Sequence, residues 1–145
     1  MASVTKNVVF KDFNITFDRH PVTRKLNILK NDLAVARSIK NLVLTNKFER
    51  PYQPTLGSDV RARLFDNADS FTGELIQDDI EDCINSYEPR AKLLSVIVSA
   101  SPNKFNASHS FAEDIDNNGF NVSIKFKTIN QTRPIQLDFF IERVR

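Results

Sequence analysis

Cys83 is the only cysteine in the 145 residues, so a disulfide framework and a cysteine-based zinc site are both excluded. Glycine is almost as scarce. Gly57, Gly73 and Gly119 are the whole supply, and no glycine-rich phosphate loop can be built from them. The two histidines are His20, before a proline, and His109, in a polar stretch; neither has a partner at metal-ligand spacing. Ser108-His109-Ser110 carries no triad signal. No apolar run approaches the roughly 18 residues of a membrane span. Residues 1–10 lack the apolar core of a signal peptide, so synthesis and retention in the cytoplasm are expected, with no membrane partner. The basic residues are scattered and form no recognised motif, so nucleic acid is not an expected partner either. Carboxylates number 18, yet no spacing selects a pair as glycosidase acid and base. Catalytic, cofactor-binding and metal-binding residues are therefore expected to be absent, as is a small-molecule substrate.

What is present is an ordinary globular composition with an uneven charge map. Residues 1–63 carry twelve Lys/Arg against five Asp/Glu, residues 64–118 three against eleven, and residues 119–145 five against two. Blocks of opposite sign can pair inside one domain or dock complementary neighbours. The length fits a single domain over residues 1–145, with 1–10 as a flexible lead.

Periodicity supplies the elements. Residues 11–17 alternate Phe13, Ile15 and Phe17 inward with Asn14 and Thr16 outward, and a turn at His20-Pro21 leads to a return strand near 25–29. Asn31 or Asp32 caps a helix whose stripe is Val35, Ile39, Leu42 and Val43, ending near Thr45. Pro51 and Pro54 then forbid helix, giving an ordered loop shaped by Arg50, Pro51, Pro54 and Gly57 and draped over the core by Tyr52 and Leu56. Ser58 caps a short helix to Phe65 with Val60 and Leu64 on one face. Thr72 caps a longer helix with stripe Ile76, Ile80, Cys83, Ile84 and Tyr87, acidic elsewhere and stopped by Pro89. Cys83 on that stripe reads as a small core hydrophobe. Strands follow at 93–100 (Leu94, Val96, Val98 inward), from Gly119 (Phe120, Val122, Ile124, Phe126 inward), and at 134–144 (Ile135, Leu137, Phe139, Ile141 inward), with a polar loop over 101–118. The fold class is α+β, a mostly antiparallel sheet with two to three helices on one face and long C-terminal strands.

Two segments carry a resemblance. One runs from Arg37-Ser38-Ile39-Lys40-Asn41-Leu42 through Glu49-Arg50-Pro51-Tyr52-Gln53-Pro54-Thr55-Leu56-Gly57-Ser58 to Leu64-Phe65; the other is Tyr87-Glu88-Pro89-Arg90, between a helix and a strand. In that order and spacing they resemble the tail sheath-initiator family. This family comprises baseplate wedge proteins of T-even-like contractile phages and related components of type VI secretion baseplates. His20-Pro21-Val22-Thr23 resembles the subgroup found in marine myophages. The family is sometimes labelled lysozyme-like, but no residue pattern here supports hydrolysis.

The resemblance implies a structural virion component in the tail baseplate, with baseplate wedge proteins, the tail sheath protein and neighbouring tail tube or hub proteins as partners. Glu88, Pro89 and Arg90 match the family's Glu-Pro-Arg signature and are the expected wedge contact, the alternative being an internal pair such as Glu88 with Arg50. The terminal strands are the expected sheath contact, with Lys125, Lys127, Asp138, Phe140, Glu142 and Val144 as candidates and the last eight residues dispensable for folding. A cell-wall glycan hydrolase and a generic adaptor binding through its acidic helix are the alternatives.

Overall fold

A computed structural model describes residues 9–19, 21–66, 70–100, 119–129 and 131–142. The elements are β1 (Lys11–Phe13), β2 (Ile28–Lys30), α1 (Asp32–Leu44), α2 (Val60–Arg63), α3 (Ser70–Tyr87), β3 (Ala91–Ala100), β4 (Gly119–Thr128) and β5 (Ile135–Glu142). β3, β4 and β5 form an antiparallel sheet in the order β3-β4-β5, and β1 and β2 form a separate hairpin. This is the expected α+β class.

The core lies between that sheet and the helices. Val35, Ile39 and Val43 of α1, Val60 and Leu64 at α2, and Ile76, Ile80 and Ile84 of α3 meet Val96, Phe120, Val122, Ile124, Phe126, Phe139 and Ile141. Apart from Tyr87, which is exposed, the helical stripes and the inward rows of β4 and β5 are those the periodicity predicts. Each large side chain buried this way contributes about 1.5–3 kcal/mol. Thr128 Oγ1 donates to Asp32 Oδ1 at 3.2 Å and pins the end of β4 to the start of α1. Because Phe139 and Ile141 are core residues, β5 is not a dispensable arm. Removing residues 138–145 would open the core, contrary to expectation.

Four other expectations are corrected. Phe13, Ile15 and Phe17 are exposed rather than inward. β1 stops after three residues, because the chain turns with Phe17 N–H bonded to Asn14 O at 3.0 Å and Phe17 at φ 51°. Asp12 and Leu29, paired in register, occupy the half-buried face instead. Asn31 does precede α1, but at φ 48° and without a side-chain cap; its backbone carbonyl accepts from Val35 N–H. Thr72 lies inside α3, buried, because the helix begins at Ser70.

The fourth correction concerns β3. Leu93 pairs with Phe126 and Ser95 with Lys125, so Leu94 is an extra, bulged residue. The bulge turns Leu94 out to solvent and gives Leu93 the inward place beside Val96 and Val98. Leu94→Ala should therefore cost less than about 1 kcal/mol, whereas Ile124→Ala should cost about 2–5 kcal/mol. Urea unfolding of both variants checks the assignment; equal losses would mean that Leu94 is packed.

Candidate functional site

Three surface features stand out as candidates for contact. The first is the corner between α3 and β3. The helix ends at Tyr87 because Pro89 cannot continue it and disfavours helix at Glu88. Glu88 is turned inward, 3% exposed, and its carboxylate is fully engaged. Arg90 Nε donates to Oε1 at 2.6 Å, Arg90 Nη2 to Oε2 at 2.8 Å, and Ser38 Oγ of α1 to Oε2 at 2.6 Å. Arg90 also donates to Ser38 Oγ at 3.0 Å and lies 5.5 Å from the Phe10 ring centroid. The internal pairing is thus present, with Arg90 and Ser38 rather than Arg50 as the partners. Pro89 is exposed and Arg90 half-exposed, so these two of the three signature residues present surface.

Electrostatics follows from this geometry. Burial opposes charge on Glu88, but the hydrogen bonds from Arg90 and Ser38 and the guanidinium charge prevail, and its pKa is lowered. The same pairing raises that of Arg90 against its own burial.

The second feature is the proline loop. Gln53 N–H bonds to Arg50 O and Leu56 N–H to Gln53 O, two successive turns that leave Pro51 and Pro54 exposed. Tyr52 is 98% exposed, contrary to the expected drape, and Leu56 is half-buried. The loop is anchored at its base. Tyr87 Oη donates to Thr55 O at 2.6 Å, Ser58 N–H to Thr45 O at 2.9 Å, and Ser58 Oγ to Val43 O at 2.6 Å. Gly57 sits at φ 123°, and a Cβ there would run into the carbonyl of Thr45. Cys83 Sγ lies 3.2 Å from Gly57 O, and burial pushes the thiol up to about 11, which makes it a packing group.

The third feature is the sheet edge. β5 pairs only with β4 among the described residues, so its other side is open. β4 is the central strand. Lys125 and Lys127 therefore lie on the sheet's outer face and not on an edge, sharing that face with Asp138, Phe140 and Glu142. Hydrogen bonds from Ser123 and Gln136, with the Lys125 charge, lower the pKa of Asp138. The Phe140 ring covers Gly119, where any Cβ would meet it. Val144, His20, His109 and the 101–118 loop lie outside the described residues.

Between loop, α2 and β5 runs a groove of about 840 Å³, which no pattern in the sequence announces. Its carboxylates are Asp59 and Glu142. Asp59 is paired with Lys47 at 2.5 Å, and both side chains are about 40% exposed. Among the described residues no cluster of three or more His, Cys, Asp or Glu could hold a metal ion.

The family model for baseplate wedge protein gp25 matches residues 30–132. This chain belongs to the gp25 baseplate wedge family. The match contains both quoted segments, whereas most of the β1–β2 hairpin, with the His20-Pro21-Val22-Thr23 turn, precedes it and β5 follows it. The chain is 38% identical over 66 residues to baseplate wedge protein gp25 of Enterobacteria phage T4, an alignment spanning 43% of this chain and half the length of that relative. Its fold is similar to a chain of the anti-feeding prophage baseplate (TM-score 0.62, 23% identity, 86% of this chain and 89% of that one). It is also similar to a chain of a type VI secretion baseplate complex (0.54, 14%, 78% and 93%). A Geobacter sulfurreducens protein provisionally named a tail lysozyme has the fold as well (0.60, 22%, 77% and 89%).

In this gp25-family domain, the Glu88 contribution to stability has a defined pH sign. A carboxyl whose folded pKa is lowered stabilises fully above its unfolded value near 4.5 and progressively less as pH falls through the folded value. Acidification from pH 5 to 3 should therefore weaken the wild type more than Glu88→Gln, which should itself cost about 1–3 kcal/mol at pH 7. Parallel acid profiles, followed by denaturant titration, would remove the charged pair from the account.

Proposed function

We propose that this chain is a structural part of a contractile tail baseplate in the virion, made in the host cytoplasm, that binds wedge proteins and starts the sheath. In this reading the Pro89 and Arg90 surface meets the wedge proteins while Glu88 acts from behind, holding Arg90 in a fixed direction. The tail tube or hub proteins lie alongside. The open side of β5 receives an extended arm of the sheath protein as an added strand, and sheath assembly repeats the exchange.

The observation that carries this reading is the edge of β5, unpaired among the described residues, in a chain of the gp25 family. Strand addition supplies several backbone hydrogen bonds with little demand on sequence, which suits a repeating lattice. Open edges otherwise invite aggregation. Asp138, Glu142 and Lys125 on the adjoining face work against that in the free chain.

Mixing the chain with purified wedge proteins and the matching sheath protein, followed by negative-stain microscopy and hydrogen exchange, tests both halves. Sheath rings should form only when the chain is present, and amides of 135–142 should slow by tenfold or more. Sheath growth that is indifferent to the chain would end the initiator reading. The double variant Glu88→Gln/Arg90→Gln, which removes both charges of the buried pair together, should reduce wedge binding in protein that remains folded by circular dichroism; undiminished binding would end the wedge contact.

A further inference from the structure

The groove beside β5 has a shape and a lining that select its occupant. Leu44, Leu64, Phe65 and Ile141 give it apolar walls, Phe48 stands at its rim, and Arg61 lines it from α2. Phe140, Ile141 and Glu142 of β5 border it as well, so the groove runs into the open side of the edge strand. A strand paired to β5 would lie about 4.8 Å away and roof the groove, and its side chains on the helix side, about 7 Å apart, would point in.

Phe48 is the telling residue. It sits at φ 65°, a left-handed conformation that is an outlier for a bulky side chain. It is 80% exposed, so its ring gains little from this chain's own core. The conformation is held by Phe48 N–H to Pro54 O at 2.7 Å and by the turn from Glu49 N–H to Asn46 O. The two-proline loop therefore holds the backbone of an exposed aromatic residue in a strained conformation beside the groove. Strain of this kind persists where the surroundings impose it, and it concentrates at binding clamps.

Charge narrows the occupant further. Lys47 is paired with Asp59, and Arg63 with Asp79. Arg61 makes no ion pair among the described residues, and Glu142 lies on the β5 side of the groove. The complementary ligand is anionic toward α2 and not toward β5.

We infer that this groove is the anchor site for the strand added to β5, and that it takes a large apolar side chain with a carboxylate one or two residues away reaching Arg61. The inference rests on the strand-addition reading above and adds to it the side chains the incoming arm must carry. The proline loop is then a part of the binding site, since it aims Phe48.

The test uses the full chain with purified sheath protein and wedge proteins. Phe48→Gly removes the ring and also relieves the backbone. Its melting temperature should equal or exceed that of the wild type, while sheath-protein binding falls about tenfold. A structural role for Phe48 would instead lower both. Arg61→Glu, on an exposed turn, should weaken binding at least fivefold. A benzophenone side chain at position 48 should crosslink a sheath-protein segment that holds a large apolar residue within two positions of Asp or Glu. If amides of 135–142 gain protection while both variants bind normally, strand addition stands and the anchor is overturned. If those amides gain no protection, the strand-addition reading falls and the anchor with it. A crosslink confined to a helical segment also overturns the anchor.

Discussion

The Glu88 carboxylate sits where the helix layer becomes the sheet, and much of the arrangement hangs on it. It is nearly inaccessible to water, and a buried carboxylate is tolerated only when its oxygens are satisfied. Ser38 of α1 and Arg90 of the turn that leads into β3 meet that condition. The requirement thereby joins the α3–β3 turn to α1. The connection of α1 to α3 through this pair also positions the start of the proline loop, which leaves the C-terminal end of α1 and is tied back to α3 through Tyr87. Pro89 matters because it turns the chain sharply enough for Glu88 and Arg90, two residues apart, to face each other.

From that corner the structure divides into a part that is packed and a part that is presented. The helix stripes and the inward rows of β3, β4 and β5 pack against one another. The proline loop, the outer side of β5 and the groove between them retain exposed aromatics, a strained backbone and unpaired strand groups. Each of these is unfavourable in the isolated chain. They lie side by side, bounded by rigid neighbours, as expected of a surface completed by another molecule.

Legibility followed the physics of period. Helical stripes such as Ile76, Ile80, Cys83 and Ile84, and the alternation from Phe120 to Phe126, were readable because one element buries one face. The hairpin is readable in existence but not in phase. With three-residue strands and apolar residues on both faces, alternation cannot say which face α1 will cover. Alternation alone misplaces Leu94, because a bulge inserts one residue and resets the pattern from a single point. Ser38 as a ligand of Glu88 was invisible, since fifty residues separate them and nothing local marks the pairing. The groove was equally invisible, being made from a loop, a one-turn helix and the last strand.

By itself, the sequence determined the α+β class, the core stripes, the helix stop at Pro89, the absence of cysteine and glycine chemistry, and the family through two spaced motifs. These are local properties, set by side-chain period, proline geometry and composition. Tertiary structure alone decided that Glu88 turns inward, that β4 is central and only β5 of the last two strands offers an edge, and that Phe48 stands beside an apolar groove. Those outcomes depend on which distant segments meet, and a contact between distant segments leaves no period in the chain to read.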